Sequence, residues 1–216
     1  MISNWQQSKR KSTYHFDPKR YDPQQDRVII LGHVEPTWVN DLTSIVGGAD
    51  AATWATRGHK GQGIHAPAED LATEEYDLEQ FGYGADFKIT DLNWDMPQSL
   101  QKVSQNFGLG DCMSRIHVQR PGQVWNLHLD KLQKWNPEDP QRVMRIMIQL
   151  TDWQPGQFWE YGNYHHRGWR AGEVTTFDWA NIPHSTANAG HHARVTLQLT
   201  GIVSSQTQEY LAHMPQ

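Results

Sequence analysis

The chain has 216 residues, 37% of them hydrophobic and ten of them Trp, enough apolar area for one large domain rather than two. Its formal net charge of −5 speaks against nucleic acid, whose binders carry a basic stripe, and the single Cys112 excludes an internal disulfide framework and a Cys-based zinc site and fits a reducing compartment. No apolar run approaches the roughly 20 residues that span a bilayer and the basic N-terminal residues lead into no apolar stretch of the secretory kind, so a soluble cytoplasmic protein with no membrane partner is expected.

Along the chain, residues 1–27 read as a polar arm that includes the solvated cluster Lys9, Arg10, Lys11. Residues 28–111 read as strands and helices supporting a barrel, 112–205 as the barrel, and 206–216 as a tail. Arg27–Val34 predicts an apolar strand and Glu35–Leu42 the start of a short helix. Ile45–His65 reads as a loop with five glycines whose spacing matches no phosphate-binding fingerprint; residues 47–63 are either a flexible loop or a lid. Acidic Ala66–Phe81 has the apolar spacing of a short amphipathic helix with a solvated carboxylate face, and Asp86–Leu92 reads as a strand. Asp95–Phe107 is the clearest helix, with Pro97 near its first turn and Leu100, Val103 and Phe107 on one face; Gly108 and Gly110 close it.

From Cys112 the pattern changes to seven short strands, Cys112–Arg120, Val124–Asp130, Arg142–Asp152, Gln157–Asn163, Tyr164–Trp169, Glu173–Trp179 and Ala193–Val203, separated by Pro/Gly turn signals. Such spacing argues for a sandwich or barrel, and no helix-length pattern interrupts it to support a parallel sheet. Pro183 breaks the chain between the last two strands, and His184 lies in that break.

Two features of this block point to chemistry. Alternation along Val124–Asp130 places Asn126, His128 and Asp130 on one face, and inward polar residues in a barrel strand call for a partner such as a metal. With His184 they make a two-His, one-carboxylate set that leaves positions open on an Fe(II) ion. His15-Phe-Asp17 and His33-Val-Glu35 have the same spacing, but the first lies in the polar arm and the second ends an isolated strand. Ten residues after His184, Arg194 stands on the polar face of its strand with Thr196 and Gln198, opposite Val195, Leu197 and Leu199. A guanidinium turned into a barrel needs an anionic partner, from the protein or from a ligand.

His128-Leu-Asp130, His184, and Arg194 with Thr196 two residues on resemble the 2-oxoglutarate- and Fe(II)-dependent dioxygenases over Cys112–Val203. Arg142–Leu150 and Trp169–Gly201 are similar to the aspartyl/asparaginyl β-hydroxylase branch, from which the chain departs by having an Asp at 130. The resemblance implies a mainly β fold, a double-stranded β-helix (jelly-roll, cupin-like) barrel with N-terminal helical additions. It implies Fe(II) on the catalytic residues His128, Asp130 and His184, 2-oxoglutarate with its distal carboxylate on Arg194 beside Thr196, and O2 as oxidant. Asn126 falls on the cofactor side. Arg145, which alternates with Met147 and Gln149, is either a second arginine facing the co-substrate or a surface ion pair. The implied activity is a hydroxylase: decarboxylation of 2-oxoglutarate to succinate and CO2, coupled to hydroxylation of a C–H bond in an amino acid, a peptide or protein side chain, or another small molecule. No motif specifies an oligomeric state.

Two other classes compete, a metal-dependent cupin of different chemistry and a non-catalytic jelly-roll binding module, and neither gives Arg194 a task. His165-His166 and His191-His192 read as structural or surface residues, one of each pair on either strand face. His117 and Gln119 line the pocket or fill the core. Trp125, Trp153, Trp159, Trp169 and Trp179 read mostly as packing, with one or two as a substrate wall, Asp178 as a carboxylate that orients His184, and Cys112 as an inert thiol.

Overall fold

The computed structural model describes residues 28–48, 96–122, 124–162 and 164–215, with the backbone alone at 47, 48, 124–126, 128 and 134. Among the described residues the strands are β1 (Ile29–His33), β2 (Gly110–Gln119), β3 (Val124–His128), β4 (Val143–Gln149), β5 (Gln157–Tyr161), β6 (Tyr164–His166), β7 (Glu173–Thr176), β8 (His184–Asn188) and β9 (Arg194–Ile202). They form two sheets, β1-β7-β4-β9-β2 and β3-β8-β5-β6, with every ladder antiparallel. Pairing β2 with β9 and β4 with β7 in one sheet, and β3 with β8 and β5 with β6 in the other, is what one antiparallel ribbon gives when it folds over on itself. The protein is therefore a double-stranded β-helix, mainly β, as the family resemblance implies.

Alternation along β4 and β9 decides which residues meet which layer. Ile146, Ile148, Val195, Leu197 and Leu199 join Trp38, Leu100, Val103 and Phe107 in one apolar core, on the outer side of the larger sheet. Arg145, Gln149, Arg194, Thr196, Gln198 and Thr200 are buried on the opposite face. The register aligns them as neighbours: Arg145 opposite Thr200, Met147 opposite Gln198 and Gln149 opposite Thr196. Trp159, Tyr161, Trp169, Phe177, Trp179 and Ile182 pack around Met147 in a second core. The two sheets are tied across the barrel where Gln119 Nε2 donates to the Thr186 hydroxyl at 3.0 Å and Asn188 Nδ2 donates to the Gln119 carbonyl at 2.9 Å.

Among the described residues three α-helices cover the outside, α1 (Leu42–Gly48), α2 (Gln98–Asn106) and α3 (Ser205–Ala212). The α2 stripe is the expected one, with Leu100, Val103 and Phe107 all buried. Two expectations change. The start of the glycine loop is helical, as the end of α1, and the stretch read as a tail is α3. A reciprocal cap starts α3: Ser204 Oγ accepts from the Thr207 amide at 3.1 Å, and Thr207 Oγ1 accepts from the Ser204 amide at 3.2 Å. Tyr210 then packs edge-on against Phe107, with ring centroids 4.9 Å apart. Beyond α3 the chain crosses β1, where the His33 amide donates to the Pro215 carbonyl at 2.7 Å. Gly32 lies at φ +141, and a Cβ there would stand 2.4 Å from that same carbonyl, so only glycine admits the strap. The helix expected at Ala66–Phe81, the strand at Asp86–Leu92 and the rest of the glycine loop lie outside the described residues. No helix among the described residues is long and apolar enough to cross a membrane.

A further correction bears on the site. The segment around His184 is not a break between strands but β8, paired on one side with β3 and on the other with β5. Its inward residues His184, Thr186 and Asn188 are polar and buried, while Ser185 and Ala187 are half-buried, so no apolar alternation marks it.

Candidate metal and anion site

His184 opens β8 opposite Tyr161 of β5 and His128 of β3. Its ring is held on two sides: Phe177 meets it edge-on at 4.7 Å between centroids, and Tyr161 stacks at 6.0 Å. Nδ1 lies 3.2 Å from the Ile182 carbonyl, which can only accept, so Nδ1 carries a proton, and whenever the ring is neutral the lone pair is on Nε2. The tight turn after β7 fixes that carbonyl. Asp178 builds the turn, its carboxylate accepting from the amides of Ala180 and Asn181 at 3.1 and 3.2 Å and from Asn181 Nδ2 at 2.8 Å. Ile182 thus supplies an orienting contact of His184, and Asp178 builds the turn that holds that carbonyl.

Asp130 Oδ2 lies 3.7 Å from His184 Nε2. That separation is too long for a hydrogen bond, and it falls within the roughly 3 to 4 Å between two donors that share an ion at about 2.1 Å each. The position of Asp130 differs from the sequence reading. β3 ends at His128, and the pairing slips by one residue between Trp125, opposite Thr186, and His128, opposite His184. A bulge of this kind changes the parity of a strand, so the simple alternation expected from Asn126 through Asp130 does not run. Asp130 sits beyond the strand, its amide donating to the Trp179 carbonyl at 3.2 Å. The register brings the His128 backbone opposite His184; the side chains of His128 and Asn126 lie outside the described ones. Among the described residues no three His, Cys, Asp or Glu side chains gather as a metal group.

Arg194 is 2% exposed. Its guanidinium carbon sits 4.5 Å above the Trp159 ring, and Trp159 in turn stacks on Tyr161 at 5.3 Å, which links it to His184. Neither Nε nor Nη1 of Arg194 has a hydrogen-bond partner, and among the described residues no carboxylate pairs with it. Burial pushes this guanidinium down to about 10, with Tyr161 acting in the other direction. Around it, three more buried N–H groups lack acceptors: Gln149 Nε2, Trp159 Nε1 and Trp169 Nε1. Thr196, next to Arg194 on the same face, donates its hydroxyl to Gln149 Oε1 at 3.3 Å, so the Gln149 amide already has its oxygen occupied and only its nitrogen unmatched. Burial holds the Tyr161 phenol protonated well above its ordinary range, Arg194 and Arg145 working against that and Asp130 with it. All three ionic groups thus act on one point in the barrel.

Arg145 is buried, so the surface ion pair falls. It pairs internally with Asp130 Oδ2. Of the other candidates, His117 and Gln119 are buried on the inner face of β2, opposite Thr196 and Arg194. His165 is exposed and faces Glu160 at 2.7 Å, while His166 is buried 2.8 Å from Glu173. His191 and His192 do not straddle a strand; both are exposed in the bend before β9. His33 Nε2 contacts the Ala171 carbonyl at 2.8 Å, a structural tie. Gln149 and Tyr161, which the structure buries beside Arg194 and His184, were not singled out in the sequence, although the alternation of Trp159 and Tyr161 against Phe158 and Glu160 marks an inward face.

No protein-family model matches the chain, and no curated protein matches it. Among solved structures it is similar to a non-heme monooxygenase, ThoJ, in a nickel complex, at 13% identity over 83% of this chain and 75% of that one with a TM-score of 0.47. It is also similar to a Cupin 2 conserved barrel domain protein from Salinispora arenicola CNS-205, at 14% identity over 47% and 71% with a TM-score of 0.30. A third is a predicted oxalate decarboxylase from Thermotoga maritima, at 14% identity over 50% and 75% with a TM-score of 0.32.

Proposed function

We propose that the chain is an Fe(II)- and 2-oxoglutarate-dependent oxygenase that hydroxylates a C–H bond of an amino-acid, peptide or other small-molecule substrate. The observation that carries this reading is Arg194: a fully buried guanidinium with two unmatched nitrogens, in a barrel that also brings a histidine lone pair toward a carboxylate. Leaving such a cation buried is costly unless an anion arrives.

The donor set suits the metal. His184 Nε2 and the Asp130 carboxylate are the nitrogen and oxygen donors that a non-haem iron site uses, with His128 as the third. Fe(II), when bound, supplies the centre at which O2 and 2-oxoglutarate react to give succinate, CO2 and a hydroxylated product. The chain's own residues do the rest. Arg194 binds the distal carboxylate through its buried guanidinium, a charge-assisted contact that fixes the length and direction of the co-substrate. Gln149 Nε2 and the Trp159 indole donate to the same oxygens. Tyr161, protonated at working pH, offers its hydroxyl beside them. Phe177 and Ile182, both buried, keep water from the His184 ring. Ile182 holds the proton on Nδ1 and so keeps Nε2 available.

The test is anaerobic titration of the protein with Fe(II) and 2-oxoglutarate, followed in the visible spectrum. A weak charge-transfer band in the green is expected in the wild type and absent in His128→Ala. Iron binding without the band would replace the co-substrate by a different cupin chemistry. No iron binding at all would mean that His128, Asp130 and His184 are not a site, and would leave a binding module.

A further inference from the structure

We infer that Arg145 is a positioning residue for the Asp130 carboxylate and takes no part in binding the co-substrate; the inference rests on the reading of His128, Asp130 and His184 as the metal ligands. The two interior arginines look alike in sequence, each on the polar face of a barrel strand, but their hydrogen-bond states are opposite. Every nitrogen of Arg145 is committed to protein. Nη1 donates to Asp130 Oδ2, and Nε donates to Thr200 Oγ1 at 3.2 Å. Gln198, with its amide turned to satisfy both neighbours, accepts from Nη2 at 2.9 Å and donates to His117 Nε2 at 3.2 Å.

A guanidinium presents its donors in one rigid plane. Three acceptors from three directions therefore fix that plane, and Arg145 cannot turn toward a second carboxylate without abandoning at least one of them. The brace does not end at Arg145. Gln198 is held by His117 of β2, and Thr200 belongs to β9, so three adjacent strands of the large sheet converge on one carboxylate that lies beyond the end of β3. Asp130 has left its strand through the bulge and has no ladder to hold it. The oxygen that Arg145 holds, Oδ2, is also the one that stands 3.7 Å from His184 Nε2. The arginine thus decides which oxygen faces the imidazole. Partners of ligating carboxylates act in this way at metal sites, orienting the donor before the ion arrives.

The test uses Co(II) alone as the probe, titrated into metal-free wild type, Arg145→Gln and Arg145→Lys by calorimetry and by the visible d–d absorption of the bound ion. Arg145→Gln is expected to weaken Co(II) binding about 10- to 100-fold and to alter the d–d spectrum. Arg145→Lys keeps the charge and one hydrogen bond but loses the fork, so it should recover part of the affinity and of the wild-type spectrum. At saturating Co(II), 2-oxoglutarate affinity should stay within about threefold of wild type in Arg145→Gln and be lost in Arg194→Gln. Should Arg145→Gln fail to fold by near-ultraviolet circular dichroism, the Lys variant and Thr200→Val, which removes the brace at Nε, carry the comparison in the same direction. Wild-type Co(II) affinity in these variants, together with weakened 2-oxoglutarate binding, would overturn the inference and make Arg145 a co-substrate ligand. Failure of the wild type itself to bind Co(II) would overturn the metal reading first, and this inference with it.

Discussion

Replacing Arg194 by Met asks whether this guanidinium exists for the fold or for a ligand. Burial pushes it down to about 10, well below the ordinary guanidinium range; at about 1.4 kcal/mol for each tenfold, the charge costs the folded state on the order of 3 kcal/mol. The folded chain holds this proton less tightly than the unfolded chain does. The cost is therefore present in full at neutral pH and is relieved only as pH rises from about 10 toward the unfolded value. Against it stands the cation–π contact with Trp159 at 4.5 Å, about 2 kcal/mol for a desolvated pair. A methionine of similar length recovers about 1 kcal/mol of that through sulfur–aromatic packing. The balance favours the variant. Ligand-free Arg194→Met is expected to be more stable than wild type by about 1 to 2 kcal/mol, or roughly 2 to 8 °C in a chain of this size. Added 2-oxoglutarate should reverse the order, since a ligand at 100 times its Kd stabilises the wild type by about 2.7 kcal/mol and leaves the variant unchanged. Urea and thermal unfolding of both proteins, with and without 2-oxoglutarate and Co(II), measure all the terms. If ligand-free Arg194→Met loses more than about 2 kcal/mol, and 2-oxoglutarate stabilises neither protein, the guanidinium belongs to the fold and the reasoning fails.

Trp38 is fully buried, and its indole donates to the Leu150 carbonyl at 2.9 Å; Trp38→Phe strands that carbonyl and opens a void, so a loss of about 2 to 4 kcal/mol is expected as a lower urea midpoint with an unchanged slope. A loss under about 0.5 kcal/mol would mean that this bond contributes little to the outer core. Burial pushes the Cys112 thiol up, partly opposed by Ser114. Fewer thiolates at pH 8 should make its reaction with an aromatic disulfide reagent at least about tenfold slower in the native protein than in urea; equal rates would place the thiol in water.

Legibility in the sequence followed how each strand is buried. β4 and β9 carry apolar residues toward the helices and polar ones toward the barrel, so their period of two is plain in the residues. β8 offers no such contrast, because its inner face is His184, Thr186 and Asn188 and its outer face Ser185 and Ala187. It is a strand because β3 and β5 satisfy its ladder on both sides, a fact about partners distant in the chain. The bulge in β3 is hidden for a related reason. Alternation tells which residues share a face only while the register holds, and Trp125–His128 contains neither the glycine nor the proline that often marks a slip. α3 begins Ser-Gln-Thr-Gln-Glu and looks like a polar tail until Ser204, Thr207 and Tyr210 are seen to close on α2 and the chain that follows it.

Arg145 and Arg194 show the same limit at the site. Residue type and alternation put both inside the barrel and could go no further, since what separates them is the set of acceptors each one meets. Thr200 and Gln198 come from a strand more than fifty residues on in the chain, and Asp130 comes from beyond a bulge. Together they engage every nitrogen of Arg145. Arg194 meets an indole face instead, which stabilises its charge but accepts no hydrogen bond from Nε or Nη1. The neighbouring Gln149 nitrogen and the indole N–H groups of Trp159 and Trp169 are likewise donors without acceptors. A ligand that brings oxygen lone pairs would relieve these donors, and an anion would also compensate the cation among them. An apolar or cationic occupant would leave every one of these groups as it stands, so the chemistry of the guest is restricted by the donors before any contact with a metal is considered.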